Sequence, residues 1–407
     1  MIAFFAGFLF WYPLLMSLFW ISGGILFYMK RERKEPLPLT ETPLVSILVP
    51  CHNEEETVWE TVDHLLQLNY PNYEILLIND GSHDVTGRIA EVITTMYPKK
   101  VRFIDMKKNS GKANALYMGF LASKGEYLVC VDADALLDRD ALRYMIPHFT
   151  TANNGERVGA VTGNPRVRNR SSLLSRLQLV EYASIISSIK RTQRILGKVM
   201  TVSGVVVAFR KRALLDCGLW DRDMITEDIA VTWKLQKRFW DVRYEPNALC
   251  WMLVPETLRG IWKQRVRWAQ GGLEVMLRHW DIFLDWRQRR LYPIYMEQVF
   301  SLLWSVLWVV FTVLALCKAV ATFEFLGLFT LYACVLSVTC IVQFFIAVQL
   351  DRRYDEKLAR YYLWAVWYPL VYWYVNTFVV VRALPKALFK KKGEMAVWES
   401  PDRGVTM

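Results

Sequence analysis

Signatures that would place a 407-residue chain in a common class are missing from this one. None of its seven cysteines (Cys51, Cys130, Cys217, Cys250, Cys317, Cys334, Cys340) forms a Cys-x-x-Cys pair. They read as free thiols in a reducing compartment, with no disulfide frame and no zinc site. The five histidines (His52, His64, His83, His148, His279) show no metal-ligand spacing. No Gly-x-Gly-x-x-Gly follows the first predicted strand, which argues against a dinucleotide fold. The lack of a P-loop and of a Gly-x-Ser-x-Gly elbow counts against NTPases and hydrolases. Internal repeats, low-complexity tracts and nucleic-acid motifs are also missing. From Ile2 to Met29 there is no charge at all.

That last absence is a presence of another kind. An uncharged run of this length crosses a bilayer. Without a basic segment ahead of it or a small-x-small cleavage site, it reads as a retained anchor and not a signal peptide. Lys30, Arg31, Arg33 and Lys34 follow at once and place that end in the cytoplasm by the positive-inside rule. The chain is 54% hydrophobic, and three later runs, Pro293–Cys317, Phe325–Leu350 and Tyr361–Val381, are also predicted spans. The expected organisation is an anchor (1–29), a proline-punctuated linker (30–42), a cytoplasmic domain (43–290), membrane helices (291–383) and a basic tail (384–407). With the domain inside, three late spans put the tail outside, whereas Lys386, Lys390, Lys391 and Lys392 favour inside. Pro369 and the aromatics of Tyr361–Val381 leave a re-entrant or interfacial segment open. The net charge of +11 fits an anionic leaflet and an anionic substrate better than nucleic acid.

Within the central region, apolar runs alternate with helical patterns. Val45–Pro50, Tyr73–Ile78, Val101–Met106 and Tyr127–Val131 read as strands, each ending in a polar turn, with helices between them. That alternation argues for a doubly wound parallel sheet. Beyond Asp138 the pattern is less regular, with strands expected at Gly159–Val167 and Val199–Phe209. Amphipathic segments near 171–190 and 257–277 suit either a membrane surface or the domain interior.

Candidate chemistry gathers at the strand ends. Asp132 and Asp134 follow an apolar strand directly, where open α/β sheets bind ligands, and two hard oxygen donors suit Mg²⁺ or Mn²⁺ together with substrate phosphates. A lone Asp-x-Asp is also an ordinary solvated loop. Asp80 closes the second strand and can accept from a base or ribose, or simply make an Asp-Gly turn. Lys112 opens a helix whose N–H groups favour anions. Glu227 and Asp228 after Thr226 stabilise a helix start, and either acid can act as a general base. Gln264, Arg267 and Trp268 offer an amide, a phosphate clamp and a stacking platform for a sugar.

The ordered set Asn53-Glu54, Asn79-Asp80-Gly81-Ser82, Ser110-Gly111-Lys112, Asp132-Ala133-Asp134, Thr226-Glu227-Asp228 and Gln264-Arg265-Val266-Arg267-Trp268 resembles the processive family-2 glycosyltransferases. That group includes cellulose, chitin and hyaluronan synthases. The match runs from about Pro43 to Trp280. Within the group, Val49–Glu54 and Val202–Arg210 are most similar to bacterial poly-β-1,6-N-acetylglucosamine synthases. The resemblance implies a GT-A domain, with a Rossmann-like mixed sheet, fused to transmembrane helices. It implies that Asn53, Glu54, Asp80, Lys112, Asp132 and Arg267 bind the nucleotide donor, with Asp132 and Asp134 holding Mg²⁺ or Mn²⁺. Asp228, with Glu227 beside it, is then the catalytic base, and Ser203, Gly204, Gln264 and Trp268 meet the acceptor. The implied reaction polymerises UDP-N-acetylglucosamine into a β-1,6-linked biofilm exopolysaccharide at the bacterial inner membrane and starts its translocation. A chitin- or hyaluronan-type product, or a non-processive lipid transfer, stays open. Trp304, Trp308, Trp364 and Trp367 read equally as polymer-channel walls or interface anchors. Few spans for a channel imply a small membrane accessory subunit, and any cyclic-di-GMP site would form only with it. A non-catalytic transporter or scaffold subunit is the remaining alternative class.

Overall fold

The computed structural model describes residues 2–319, 326–391 and 393. Part of the expected basic tail, Lys392 and 394–407, lies outside the described residues, as does Phe325 at the start of a predicted span.

Eight strands form one sheet in the order β3-β2-β1-β4-β7-β6-β8-β5. They are β1 (Val45–Cys51), β2 (Tyr73–Asp80), β3 (Val101–Met106), β4 (Tyr127–Val131), β5 (Ala135–Leu137), β6 (Val158–Val167), β7 (Val206–Arg210) and β8 (Asp241–Met252). The first four are parallel, and both faces of β1, β2 and β4 are buried, which explains their unbroken apolar composition. The parallel run stops there, and the rest of the sheet bears out the mixed arrangement that the resemblance implied. β7 pairs antiparallel with β4 and with β6, and β5 antiparallel with β8, so the sheet is mixed. An apolar run such as Val206–Phe209 carries no information about its direction. The helices between β6 and β7 decide it. The twelve-residue β8 escaped the sequence reading, although its alternation, with Val242, Tyr244, Ala248, Cys250 and Met252 inside, is a period-2 signal.

The helices that matter are α1 (Ile2–Phe27), α2 (Val58–Leu66), α3 (Thr86–Met96), α4 (Lys112–Ala122), α5 (Leu173–Glu181), α6 (Ser188–Leu196), α7 (Glu227–Lys237), α8 (Leu258–Arg278), α9 (Tyr292–Ala319), α10 (Leu326–Asp351) and α11 (Trp373–Leu388). A π turn over Tyr182–Ser187 joins α5 to α6.

Among the described residues, three stretches are long and apolar enough to cross a membrane: Phe4–Glu32, Trp286–Leu314 and Leu331–Asp351. The chain is membrane-associated. The last predicted span differs. Leu358–Val366 is a 3₁₀ helix, Tyr368–Tyr372 a π turn, and only Trp373–Leu388 is α-helical. The α11 segment packs Val379, Ala383 and Ala387 against Val266, Leu273 and Met276 of α8. Glu32 and Asp351, at the ends of the first and third stretches, both pair with Arg191 of the sheet domain. Lys390 reaches Glu274 at 2.8 Å, so the start of the tail lies on the domain's side.

Trp304 and Trp308 pack among the helices. They stack on each other with ring centroids 5.2 Å apart, and the Trp304 indole donates to the Leu9 carbonyl of α1 at 3.0 Å. They are helix-packing residues.

Candidate active site

The parallel strands deliver their C-terminal ends to one edge of the sheet. Because β7 runs the other way, with Val206 beside Val131, its N-terminal approach through Ser203-Gly204 arrives at that same edge. Helix α7 brings Glu227 and Asp228 to it. Helix α8 presses close behind them: a Cβ at Gly271 would stand 2.7 Å from the Thr226 Cβ.

At the centre is Lys112, the first residue of α4. Its ammonium lies 2.5 Å from Asp132 Oδ1 and 3.4 Å from Glu227 Oε1. Burial pulls its pKa down, but Asp132, Glu227 and Asp228 outweigh that and raise it, so Lys112 is a cation. Asp228 accepts from the Gly204 N–H at 3.3 Å through Oδ2 and from the Ile229 N–H at 2.9 Å through Oδ1. Burial first, and then the charge of Glu227, push its pKa up to about 6, against the pull of Lys112. That value suits a general base, which is ionised near neutrality and still basic. A side chain at Gly204 would stand 3.3 Å from Lys112 Nζ and 3.4 Å from Asp228 Oδ2. The bare backbone there keeps the space beside the base open.

Asp132-Ala133-Asp134 forms a turn after β4. The Ala135 N–H donates to the Asp132 carbonyl at 3.1 Å, and Thr61 Oγ1 donates to the Ala133 carbonyl at 2.8 Å. The two acids therefore face different neighbours. Asp132 meets Lys112. Asp134 acts on the buried Tyr182 hydroxyl, whose pKa burial raises, Arg265 and Arg267 lower, and Glu181 and Asp134 raise further. Asp134 from the sheet and Arg267 from α8 thus converge on one ring.

Asp80 is wholly buried, and both its oxygens are engaged. They accept the Ser110 N–H at 2.8 Å and the Gly111 N–H at 2.9 Å. Burial raises its pKa against those bonds. In this arrangement Asp80 holds the loop that launches Lys112. Asn53 and Glu54 brace the turns after β1 and β2. Asn53, at φ 55, accepts the His83 N–H at 2.9 Å, and the Glu54 N–H donates to Thr86 Oγ1 at 2.7 Å.

On α8, Gln264 is buried and its side-chain oxygen accepts no hydrogen bond among the described residues. Arg267 forms no ion pair among the described residues and stands partly open. The Arg265 guanidinium lies 4.3 Å over the Trp268 ring. Residues three apart share a helix face, and adjacent ones diverge. Arg265 also binds the buried Glu181 at 2.7 Å.

Tyr182, Arg265 and Lys190 were missed in sequence. Lys190 is the only charge between Glu181 and Arg191, set in a run of apolar and serine residues, which is the signal that marks it. It is buried and donates to Ser203 Oγ.

Asp132 and Asp134 are hard oxygen donors at the open edge, and Mg²⁺ or Mn²⁺ needs only one or two carboxylates when substrate phosphates complete its shell. The residues present fit such an ion. No group of three or more potential protein ligands occurs among the described residues.

The family model described as "Glycosyltransferase like family 2" matches residues 42–271. The chain is 43% identical to a poly-β-1,6-N-acetyl-D-glucosamine synthase of Staphylococcus epidermidis, over 98% of both chains. It is 45% identical to the protein of that name from Staphylococcus aureus (strain COL), over 99% of both. Among solved structures, a mannosyltransferase from Pyrobaculum calidifontis, in complex with GDP-Man and Mn²⁺, superposes with a TM-score of 0.63. Its identity is 19%, and the match covers 93% of this chain and 99% of that one. At that identity the likeness is one of fold, and the fold is GT-A.

Proposed function

We propose, on the premise that the chain belongs to glycosyltransferase family 2, that it polymerises N-acetylglucosamine from UDP-N-acetylglucosamine into a β-1,6-linked exopolysaccharide of the biofilm matrix. Two relatives bearing that synthase's name match over 98% and 99% of both chains, so the reading rests on more than a shared domain. The geometric observation that carries the chemistry is Asp228. It is a carboxylate with a raised pKa at the sheet edge, beside the open Gly204 backbone and a cationic Lys112.

Asp228 takes the proton from the 6-hydroxyl of the chain end. That oxygen attacks the anomeric carbon from the face opposite the diphosphate, the C1–O bond breaks, and UDP leaves with inversion. Asp132 and Asp134 would hold a Mg²⁺ or Mn²⁺ ion, which supplies charge neutralisation for the departing diphosphate. Lys112 and Arg267 add fixed positive charge to the same edge. Lys112 is positioned for this through Asp80, which anchors its loop. Gln264 and Trp268, with the Ser203-Gly204 turn, line the acceptor side.

The domain faces the cytoplasm of a bacterial inner membrane. Basic residues Lys30, Arg31, Arg33 and Lys34, together with Arg352 and Arg353, cluster at the domain-side ends of two candidate spans, as the positive-inside rule requires. Three candidate spans are few to enclose a polymer path, so a small membrane subunit completes the path by which the product begins to leave.

The test uses membranes containing the full chain, supplied with Mg²⁺ and labelled UDP-N-acetylglucosamine or UDP-glucose. The expected product forms only from the first donor, resists chitinase and is cut by a β-1,6-specific hexosaminidase. A chitinase-sensitive polymer overturns the linkage, and a single sugar on lipid overturns processive synthesis.

A further inference from the structure

Lys190 has no role in the reaction as drawn, yet it is tied to the site more closely than several residues that do. Its side chain is buried, with a residue exposure of 5%. The ammonium donates to Ser203 Oγ and lies 3.5 Å from Thr162 Oγ1. Thr162 Oγ1 in turn accepts the Ser203 N–H at 2.8 Å. Ser203 is therefore gripped at its backbone and at its hydroxyl. The next N–H along the chain, that of Gly204, is the one that meets Asp228 Oδ2 at 3.3 Å.

No carboxylate lies within ion-pair distance of Lys190 among the described residues, and the one charge that acts on it from further off is Asp228. Burial pulls its pKa down to about 7 against that attraction. A buried ammonium without a counter-ion destabilises a fold, and an apolar side chain of the same length serves packing better. The use of a lysine here lies outside stability.

The neighbours of Lys190 on α6 point the other way. Arg191 binds Glu32 at 2.5 Å and Asp351 at 2.7 Å, at the ends of two candidate spans. Thr192 Oγ1 donates to the Trp20 carbonyl of α1 at 3.0 Å. One turn of helix thus holds the membrane anchor on one side and the acceptor turn on the other. It follows a π turn, a distortion frequent at functional sites.

We propose that Lys190 is a positioning residue for glycosyl transfer. It fixes the Ser203-Gly204 turn, and through the Gly204 N–H the Asp228 carboxylate, in register with the acceptor hydroxyl, and it references that setting to the first membrane helix. The inference rests on the reading of Asp228 as the base.

The full-length protein in detergent or nanodiscs tests it by continuous UDP release. Lys190→Met removes the donor at near-constant volume. Lys190→Gln keeps a neutral donor. The expected result for Lys190→Met is a kcat lower by about tenfold to a hundredfold, as for a displaced reacting group, with the KM for UDP-N-acetylglucosamine unchanged and Tm equal or higher. Lys190→Gln recovers part of kcat, and adding Lys190→Met to Asp228→Asn gives no further loss. The proposal is overturned by a Lys190→Met kcat within twofold of the parent, by a rise in KM alone, or by a loss of kcat that tracks a loss of Tm in both variants. Failure of the parent protein to release UDP from UDP-N-acetylglucosamine is a separate outcome, and it overturns the functional reading itself.

Discussion

Two clusters of acidic and basic side chains in the molecule differ in charge balance and in exposure. At the membrane junction, Arg166 and Arg191 meet Glu32 and Asp351, all with side chains at most 1% exposed. The buried cations and anions are equal in number there, with the half-open Arg353 reaching Glu32 from the rim at 3.9 Å, and Ser187 and Tyr354 hydrogen-bond into the cluster. At the sheet edge, Lys112 faces Asp132, Glu227 and Asp228, with side chains still partly open. There the acids are in excess. Balanced and sealed charges make a joint. Unbalanced ones, partly open, fit the place proposed for a cation and a diphosphate. The contrast lies in stoichiometry and exposure, not in residue type.

The sharpest way to break the comparison is to neutralise one acid in each cluster. Asp228→Asn is expected to lower polymer synthesis by about 10²–10⁴-fold, the usual cost of losing a general base. Tm should stay level or rise, because a like charge beside Glu227 is removed. Asp351→Ala should do the reverse. It strands the buried Arg166 guanidinium, takes one of two carboxylates from Arg191, and costs on the order of 3–5 kcal/mol of stability, visible as early thermal unfolding in detergent. Turnover per folded molecule should change far less. If Asp228→Asn unfolds the protein, or Asp351→Ala lowers turnover with Tm intact, the two clusters have the wrong roles.

The smaller effect is that of pH. Asp228 must be ionised to act, so kcat should fall tenfold per unit below an apparent pKa near 6. For stability the sign is opposite. A folded pKa above the ordinary 3.8 means that the native state binds the extra proton between about 4 and 6. The Asp228 contribution therefore weakens stability as pH rises through that window, and Asp228→Asn should flatten this part of a Tm-against-pH curve. An acid limb of kcat that stays near 4 would show that burial does not tune this carboxylate.

Much of the site was readable in the chain because it is built from local pieces. An apolar strand that halts at Asp132, a helix that starts at Lys112 and another that starts at Thr226-Glu227-Asp228 each announce themselves within a few residues. The parallel half of the sheet was equally local, since each strand is followed by its own helix. What failed was whatever depends on a partner far away in sequence. Tyr361–Val381 has the composition of a span, but α8 offers its C-terminal end a complementary face, and the chain breaks into 3₁₀ and π turns before α11. The β8 alternation was present but lay in a stretch where the helical pattern had already blurred.

By itself, then, the sequence determined the inventory: an anchor, an α/β domain, acids at strand and helix ends, and an Arg-Trp helix before further apolar runs. Only the tertiary structure decided the assignments. It reversed β7, which brought Ser203-Gly204 to Asp228. It gave Trp268 to Arg265 and left Arg267 without an ion pair among the described residues. It turned Asp80 onto the loop of Lys112, and it placed Lys190 against the Ser203-Gly204 turn. Propensity and patterning act over a few residues, whereas strand direction and charge pairing are set by contacts that only the folded chain makes.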